Sequence, residues 1–318
     1  MANDIEDGNQ KGNSFHLAGI VPVAGKKLDF NFPWHDCFMP VGQNYLAIEN
    51  AVFQCAVAGC ETIWVVAHKE MQPLLRHRLG DWIYDPLLLG KAKFDPIGTD
   101  KFKEIPIYYV PIHPKDRDKR DCLAWSVIYG SLRAFHISKM ISKWVVPDKY
   151  YVSFPYGVCP TREIRKNRLL ISSKNKFYMQ HAGKTVRDGE YLPFTFDKED
   201  FLKFRRIIRQ EGTGVYKTFT YDSETHISSG EKYPVEERYS ARHFELETVF
   251  GCATIEGNNV LETPWYYRID NWEGYAKYLS SSERVFVKRP KSILKYHEWG
   301  PIGVDKEDLA IFEEEKED

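Results

Sequence analysis

The sequence predicts an α/β fold, a mixed and mostly parallel sheet flanked by helices. Three observations lead there. Apolar runs of strand length alternate with helical patterns as far as Phe154. The runs Phe15–Ala24 and Thr62–Ala67 have few polar interruptions, as in strands covered on both faces. The chain between them reads as a loop and then a helix, so the unit closes as a right-handed crossover between parallel strands.

In order, the first strand is Phe15–Ala24, ended by Gly25. A loop from Lys26 to His35 follows, rich in Lys, Asp, Asn and Pro. Asn44 is placed to cap a helix over Tyr45–Gly59. There Ile48, Val52, Cys55, Ala56 and Gly59 share one helical face, and Gly59 suits its end. Thr62–Ala67 is a β-branched strand. Lys69–Leu79 reads as helical despite Pro73, Ile105–Val110 as a strand, and Arg120–Ile141 as a long helix. The mixed-sign run Lys115–Arg120 reads as a solvated loop, and Asp121 would favour the helix start that follows. Lys149–Phe154 is a further strand, ended by Pro155-Tyr156-Gly157. Beyond residue 160 the pattern is richer in β, with helices at Lys198–Arg209 and Asn271–Ser280.

Hydrophobic residues at 43% and charged residues at 28% exclude a largely disordered chain. Forty-four basic against 45 acidic residues argue against a globally basic nucleic-acid protein. The chain shows no apolar run long enough to span a membrane, and Met1–Ser14 has no signal-peptide pattern. That stretch reads as a flexible tail, 15–283 as one α/β domain, and 284–318 as a C-terminal extension. The extension ends in an acidic tail, with eight acids and two lysines over 305–318. Six scattered cysteines form no C-x-x-C pair and no zinc spacing, which points to reduced thiols in a cytoplasmic setting.

The first unit resembles the start of the sugar-nucleotide nucleotidyltransferases, relatives of the GT-A glycosyltransferases. The matching residues are Ala24-Gly25-Lys26-Lys27-Leu28, then His35–Val41, then the helix, and then Ala58-Gly59 leading into Thr62–Val66. The likeness returns at Gly183–Gly189 with Phe194-Thr195-Phe196, and at Tyr266–Tyr275, which is similar to the family's closing D-I-D-T-P-E-D-Y element. It spans residues 15–283 in the family's order. It implies a Rossmann-like, GT-A architecture and nucleotidyl transfer from an NTP to a sugar phosphate with Mg²⁺. The family's glycine-rich loop is represented by Gly25 alone. Its phosphate lysine falls on Asp36, and Pro155, Tyr156 and Gly157 stand where a strand-end aspartate would be.

The resemblance assigns nucleotide binding to Ala24, Gly25, Lys26 and Lys27. It assigns catalysis to Lys26, Lys27 and Asp270, and Mg²⁺ to Asp270. The two lysines read either as a phosphate clamp at a strand's carboxyl end or as solvated loop residues. Asp270 reads either as a metal ligand, since hard cations take carboxylate oxygens, or as a helix N-cap. His35, His68 and His113 each sit near a strand end. A catalytically degenerate binding or assembly protein of the same fold is the second reading, with a protein partner. A glycosyltransferase using a nucleotide sugar is the third. The basic stretch 160–209, with thirteen Lys/Arg against six acids and interleaved aromatics, reads as a polyanion grip or as a basic surface over a core.

Overall fold

The computed structural model describes residues 15–26, 30, 32, 34–86, 104–142, 146–218, 220–224 and 228–290. Met1–Ser14, Lys27 and the acidic tail lie outside the described residues. The strands are β1 (Leu17–Pro22), β2 (Pro40–Gly42), β3 (Tyr45–Leu46), β4 (Thr62–Ala67), β5 (Trp82–Tyr84), β6 (Glu104–Pro111) and β7 (Lys149–Val152). They continue with β8 (Gly157–Val158), β9 (Phe177–Gln180), β10 (Phe194–Phe196), β11 (Thr220–Tyr221), β12 (Ser228–Ser229), β13 (Asn259–Glu262) and β14 (Tyr267–Arg268). The helices are α1 (Ala47–Ala58), α2 (Gln72–Leu79), α3 (Pro114–Arg120), α4 (Leu123–Ile141), α5 (Thr161–Lys166), α6 (Arg168–Ile171), α7 (Lys198–Gln210), α8 (Leu246–Phe250) and α9 (Trp272–Ser280).

An eight-stranded sheet runs β13-β9-β10-β7-β1-β4-β6-β5. β1 pairs in parallel with both β4 and β7, and β4 pairs in parallel with β6. β10 and β5 run against their neighbours. Every residue of β1 is buried, because helices cover both faces. On one face, a Cβ added at Gly19 would lie 2.9 Å from Cys55 of α1. On the other, α4 packs through Gly130, where a Cβ would meet Val66 at 2.6 Å and Ile20 at 3.0 Å. Two residues without side chains thus set how closely both helices approach. The mostly parallel sheet with helices on both faces is the one the sequence predicts.

Three local expectations are corrected. Asn44 does not cap α1. It takes a left-handed conformation (φ 49°) in the tight turn between β2 and β3. α1 starts at Ala47, and Glu49 reaches back to accept from the Leu46 amide at 2.9 Å. The run Lys115–Arg120 is helical, not a loop. Pro114 opens α3, His113 Nδ1 accepts from the Lys115 amide, and Arg120 pairs with Asp116 at i,i+4. The 69–79 segment divides into a 3-10 turn and α2, with Pro73 in the first turn of the helix, where its missing N–H costs nothing.

A second, smaller core lies beside the sheet. Phe30, Met39, Val41, Tyr45, Ile269, Tyr275 and Tyr278 form it. It binds the C-terminal elements to the early loop: Tyr275 Oη donates to the Pro40 carbonyl at 2.7 Å and Tyr278 Oη to that of Val41. Beyond it, Arg289 reaches the buried Glu49, which also pairs with Arg78. All six cysteines are free thiols, five of them buried. Among the described residues no helix is long and apolar enough to cross a membrane.

Candidate functional site

The carboxyl ends of the parallel strands gather the residues singled out above. β1 leaves the sheet through Val23-Ala24-Gly25-Lys26. The Val23 and Ala24 amides both donate to the Val66 carbonyl. Ser126 Oγ of α4 donates to the Ala24 carbonyl at 2.6 Å, and Tyr156 Oη donates to that of Val23. Gly25 has φ +79°, and a Cβ there would lie 2.4 Å from the Cys122 carbonyl carbon. Only glycine meets both conditions, so the turn lies directly against the start of α4. Lys26 leaves this fixed turn with its ammonium near two buried aromatic rings, 5.7 Å from the Tyr156 centroid and 5.9 Å from that of Tyr191.

Asp270 comes from the other end of the chain. β14 pairs with β8, Ile269 anchors the next turn in the second core, and α9 follows. The N-cap of α9 is Asn271, whose side chain accepts from the Gly274 amide at 2.8 Å. The N-cap reading of Asp270 is therefore corrected: its neighbour caps the helix, and its own buried carboxylate faces other partners. It lies 3.4 Å from Lys26 Nζ. Arg268 grips it with both arms of its fork, Nε to Oδ1 at 2.9 Å and Nη2 to Oδ2 at 2.8 Å. Tyr191 Oη donates to Oδ2 at 3.1 Å and Asn271 Nδ2 to Oδ1 at 3.3 Å.

These contacts decide the charge states. Burial alone would raise the Asp270 pKa. The Arg268 hydrogen bonds and charge, with Lys26 and Tyr191 adding, outweigh it and hold the carboxyl below its usual range. The bond to Asp270 raises the Arg268 pKa further above its ordinary value. Burial, reinforced by the Asp270 charge, pushes the Tyr191 phenol up, so it stays a donor. His35 nearby is lowered to about 4 by burial and by the charges of His68 and Lys26. It is neutral at pH 7, and its Nδ1 accepts from the Cys37 amide at 3.2 Å. His68 pairs with Asp121 at 2.8 Å.

A cavity of about 140 Å³ opens beside this cluster, lined by Gly25, Lys26, Cys122, Leu123, Tyr191, Arg268 and the segment 242–246. Its charged lining is Lys26, Arg242, Arg268 and Glu245. Of the residues the sequence nominates, Ala24, Gly25, Lys26 and Asp270 come together here. Lys27 lies outside the described residues. His113 caps α3, and Arg117 and Arg120 of the charged run are paired with Glu70 and Asp116. Phe177, Tyr178, Tyr191, Phe194 and Phe196 of the basic stretch are all buried, so they pack the core and do not form a stacking platform. The residues missed are Arg268, Arg242 and Glu245, while Tyr191, read as one of the basic stretch's aromatics, serves instead as a donor to Asp270. Arg268 had a signal: in an extended segment it falls on the same side as Asp270, two positions on. The others come from loops whose course no local pattern sets.

The Mg²⁺ that the resemblance implies does not fit these residues. Mg²⁺ holds its ligands near 2 Å in a near-octahedral shell and is held by one or two carboxylates. Both Asp270 oxygens already accept from cationic or neutral donors, and two cations flank them. Among the described residues no group of three His, Cys, Asp or Glu side chains is placed to hold a metal ion.

No family model and no curated protein matches this chain. Among solved structures, one provisionally described as a glucose-1-phosphate thymidylyltransferase from Bacillus anthracis aligns over 87% of this chain and 98% of its own, at 11% identity and a TM-score of 0.48. A UDP-glucose pyrophosphorylase complexed with UDP-glucose aligns over 83% and 97%, at 12% and 0.45. A 4-diphosphocytidyl-2C-methyl-D-erythritol synthase from Anaerococcus prevotii aligns over 83% and 95%, at 11% and 0.46. These are distant likenesses, so a function for this chain has to come from its own site.

Proposed function

We propose that the cavity binds the phosphate groups of a nucleotide or nucleotide sugar, and that the protein transfers a nucleotidyl group from an NTP to a sugar phosphate. The observation that supports this most is the convergence of Lys26, Arg268 and Arg242 on one cavity at the carboxyl edge of the sheet. Ligands of open α/β sheets bind at that edge. Lys26 and Arg268 are already oriented, because Asp270 and the Tyr156 and Tyr191 rings hold them. Their geometry is fixed before a phosphate arrives, which lowers the ordering cost of binding.

In this reading a phosphate oxygen of the sugar phosphate attacks the α-phosphorus of the NTP. The bond from that phosphorus to the bridging oxygen breaks, and pyrophosphate leaves with the negative charge. Lys26 and Arg268 offset that charge where it develops, and no covalent intermediate is needed. Asp270 acts as a positioning residue for both cations. The cavity admits phosphate groups, while base and sugar extend into the open cleft. A second reading, nucleotide capture without transfer, is favoured by the full engagement of the Asp270 carboxylate.

Thermal unfolding with ATP, CTP, GTP, UTP, dTTP and common nucleotide sugars tests the binding. A ligand at 100 times its Kd adds about 2.7 kcal/mol of stability, a shift of several degrees for a domain of this size. A shift abolished by Lys26→Gln supports the site, and no shift with any ligand refutes it. Pyrophosphate release with a panel of sugar phosphates then separates transfer from capture.

A further inference from the structure

We propose that the phosphate pocket works without a divalent cation, with Arg268 and Lys26 supplying the positive charge that the resemblance gives to Mg²⁺. The inference rests on the phosphate-binding reading above and adds what neutralises the phosphate.

Three features of the site carry it. The first is saturation. Asp270 receives a bidentate guanidinium, a phenol, an amide and an ammonium, all between 2.8 and 3.4 Å. A metal ion binding there would have to break the Arg268 fork and place a dication between two cations. The second is charge balance. Lys26, Arg242 and Arg268 against Asp270 and Glu245 leave the pocket with one net positive charge. A carboxylate pair poised for Mg²⁺ leaves the opposite sign. The third is exposure. The Arg268 side chain spends Nε and Nη2 on Asp270 yet stays 42% exposed where it lines the cavity. A guanidinium with one edge on a carboxylate and the rest of its fork open is well suited to grip phosphate oxygens.

The test is isothermal titration of the full chain with inorganic pyrophosphate, once in EDTA and once with excess Mg²⁺. The expected result is binding in EDTA that is at least as tight as in Mg²⁺. Binding that appears only with Mg²⁺ overturns the inference and leaves the phosphate pocket standing. No binding in either buffer overturns both. Variants locate the effect, each checked for an intact fold by its circular dichroism melt. Arg268→Gln and Lys26→Gln should each weaken pyrophosphate in EDTA by about 10- to 100-fold, the usual range for a charged hydrogen bond. Asp270→Asn loosens the hold on both cations and should weaken pyrophosphate in EDTA, while the ratio of affinities with and without Mg²⁺ stays that of the parent chain. If Asp270→Asn instead abolishes a Mg²⁺ stimulation seen in the parent chain, the carboxylate is a metal ligand and the inference fails. Should Asp270→Asn not fold, the two cation variants decide alone: unchanged affinity in both overturns the proposal.

Discussion

Gly25→Ala should cost far more than its backbone angle explains, and a second glycine shows how much more. Gly25 and Gly183 have nearly the same positive φ, +79° and +78°. Placing an L side chain there costs about 1–2 kcal/mol. A Cβ at Gly183 meets nothing within 4 Å, so Gly183→Ala should stop at that strain. A Cβ at Gly25 lies 2.4–2.7 Å from three backbone atoms of Cys122. Helix α4 is fixed by Gly130 and by Ser126, so the turn has to move instead, adding about 1–3 kcal/mol of overpacking. The totals are about 1–2 kcal/mol for Gly183→Ala and about 2–5 kcal/mol for Gly25→Ala. On a scale of roughly 2–4 °C per kcal/mol, melting should fall by a few degrees in the first and up to about 20 °C in the second. Calorimetry of both variants measures this. Moving the turn also displaces Lys26, so pyrophosphate affinity should fall in Gly25→Ala and hold in Gly183→Ala. Equal melts for the two variants would refute the close packing of turn and helix.

Other perturbations test other parts of the structure. His35 is held at about 4 in the fold, below its usual 6.5. Between those values the unfolded chain takes up a proton that the native chain refuses, so stability falls as pH drops through that window, by up to about 3 kcal/mol. His35→Asn should flatten that slope in pH-dependent denaturation, and an unaltered slope would assign it elsewhere. Glu49 is fully buried between Arg78, Arg289 and the Leu46 amide. Glu49→Ala should cost about 3–5 kcal/mol, against about 1 kcal/mol for Arg289→Met, which leaves the other partners in place. Urea titration separates them, and equal losses would contradict the arrangement. Lys149 Nζ donates to the carbonyls of Ile171, Ser173 and Asn175. Lys149→Met strands them and should cost about 2–4 kcal/mol by the same measurement, while a neutral result would mean water replaces the ammonium.

The central crossover was legible because strands covered on both faces leave a pattern that local reading detects. β1 and β4 are unbroken apolar runs, and α1 and α4 carry a face to match. Features that depend on a turn's exact course were not. Asn44 has the chemistry of a helix cap, but the hairpin needed a left-handed residue first, and Glu49 took over the capping. In α3 the mixed charges looked solvated until the i,i+4 pair and the opening proline were seen together. At the site, Lys26 and Asp270 were found because the resemblance marked both segments. Their 3.4 Å contact was invisible, since it joins the two ends of the domain. Arg268 stood in the same quoted segment. Its bidentate grip gives the Asp270 carboxylate a guanidinium partner two positions away.

That joining of ends bears on how the protein is made. β14 reaches β8, Tyr275 bonds to a carbonyl 235 positions earlier in the chain and Tyr278 to one 237 positions earlier. The sheet strands β1, β4, β6 and β7 all precede residue 153, so that half can pair while the rest is still being synthesised. The cluster around Asp270 cannot, because its carboxylate is made well after β7. During that interval Lys26 and the second core have no partner from the C-terminal side, and contacts of such sequence separation close slowly. A chain that stops short of β14 would keep much of its sheet and lack Arg268 and Asp270, so Lys26 would have neither the carboxylate nor the guanidinium beside it.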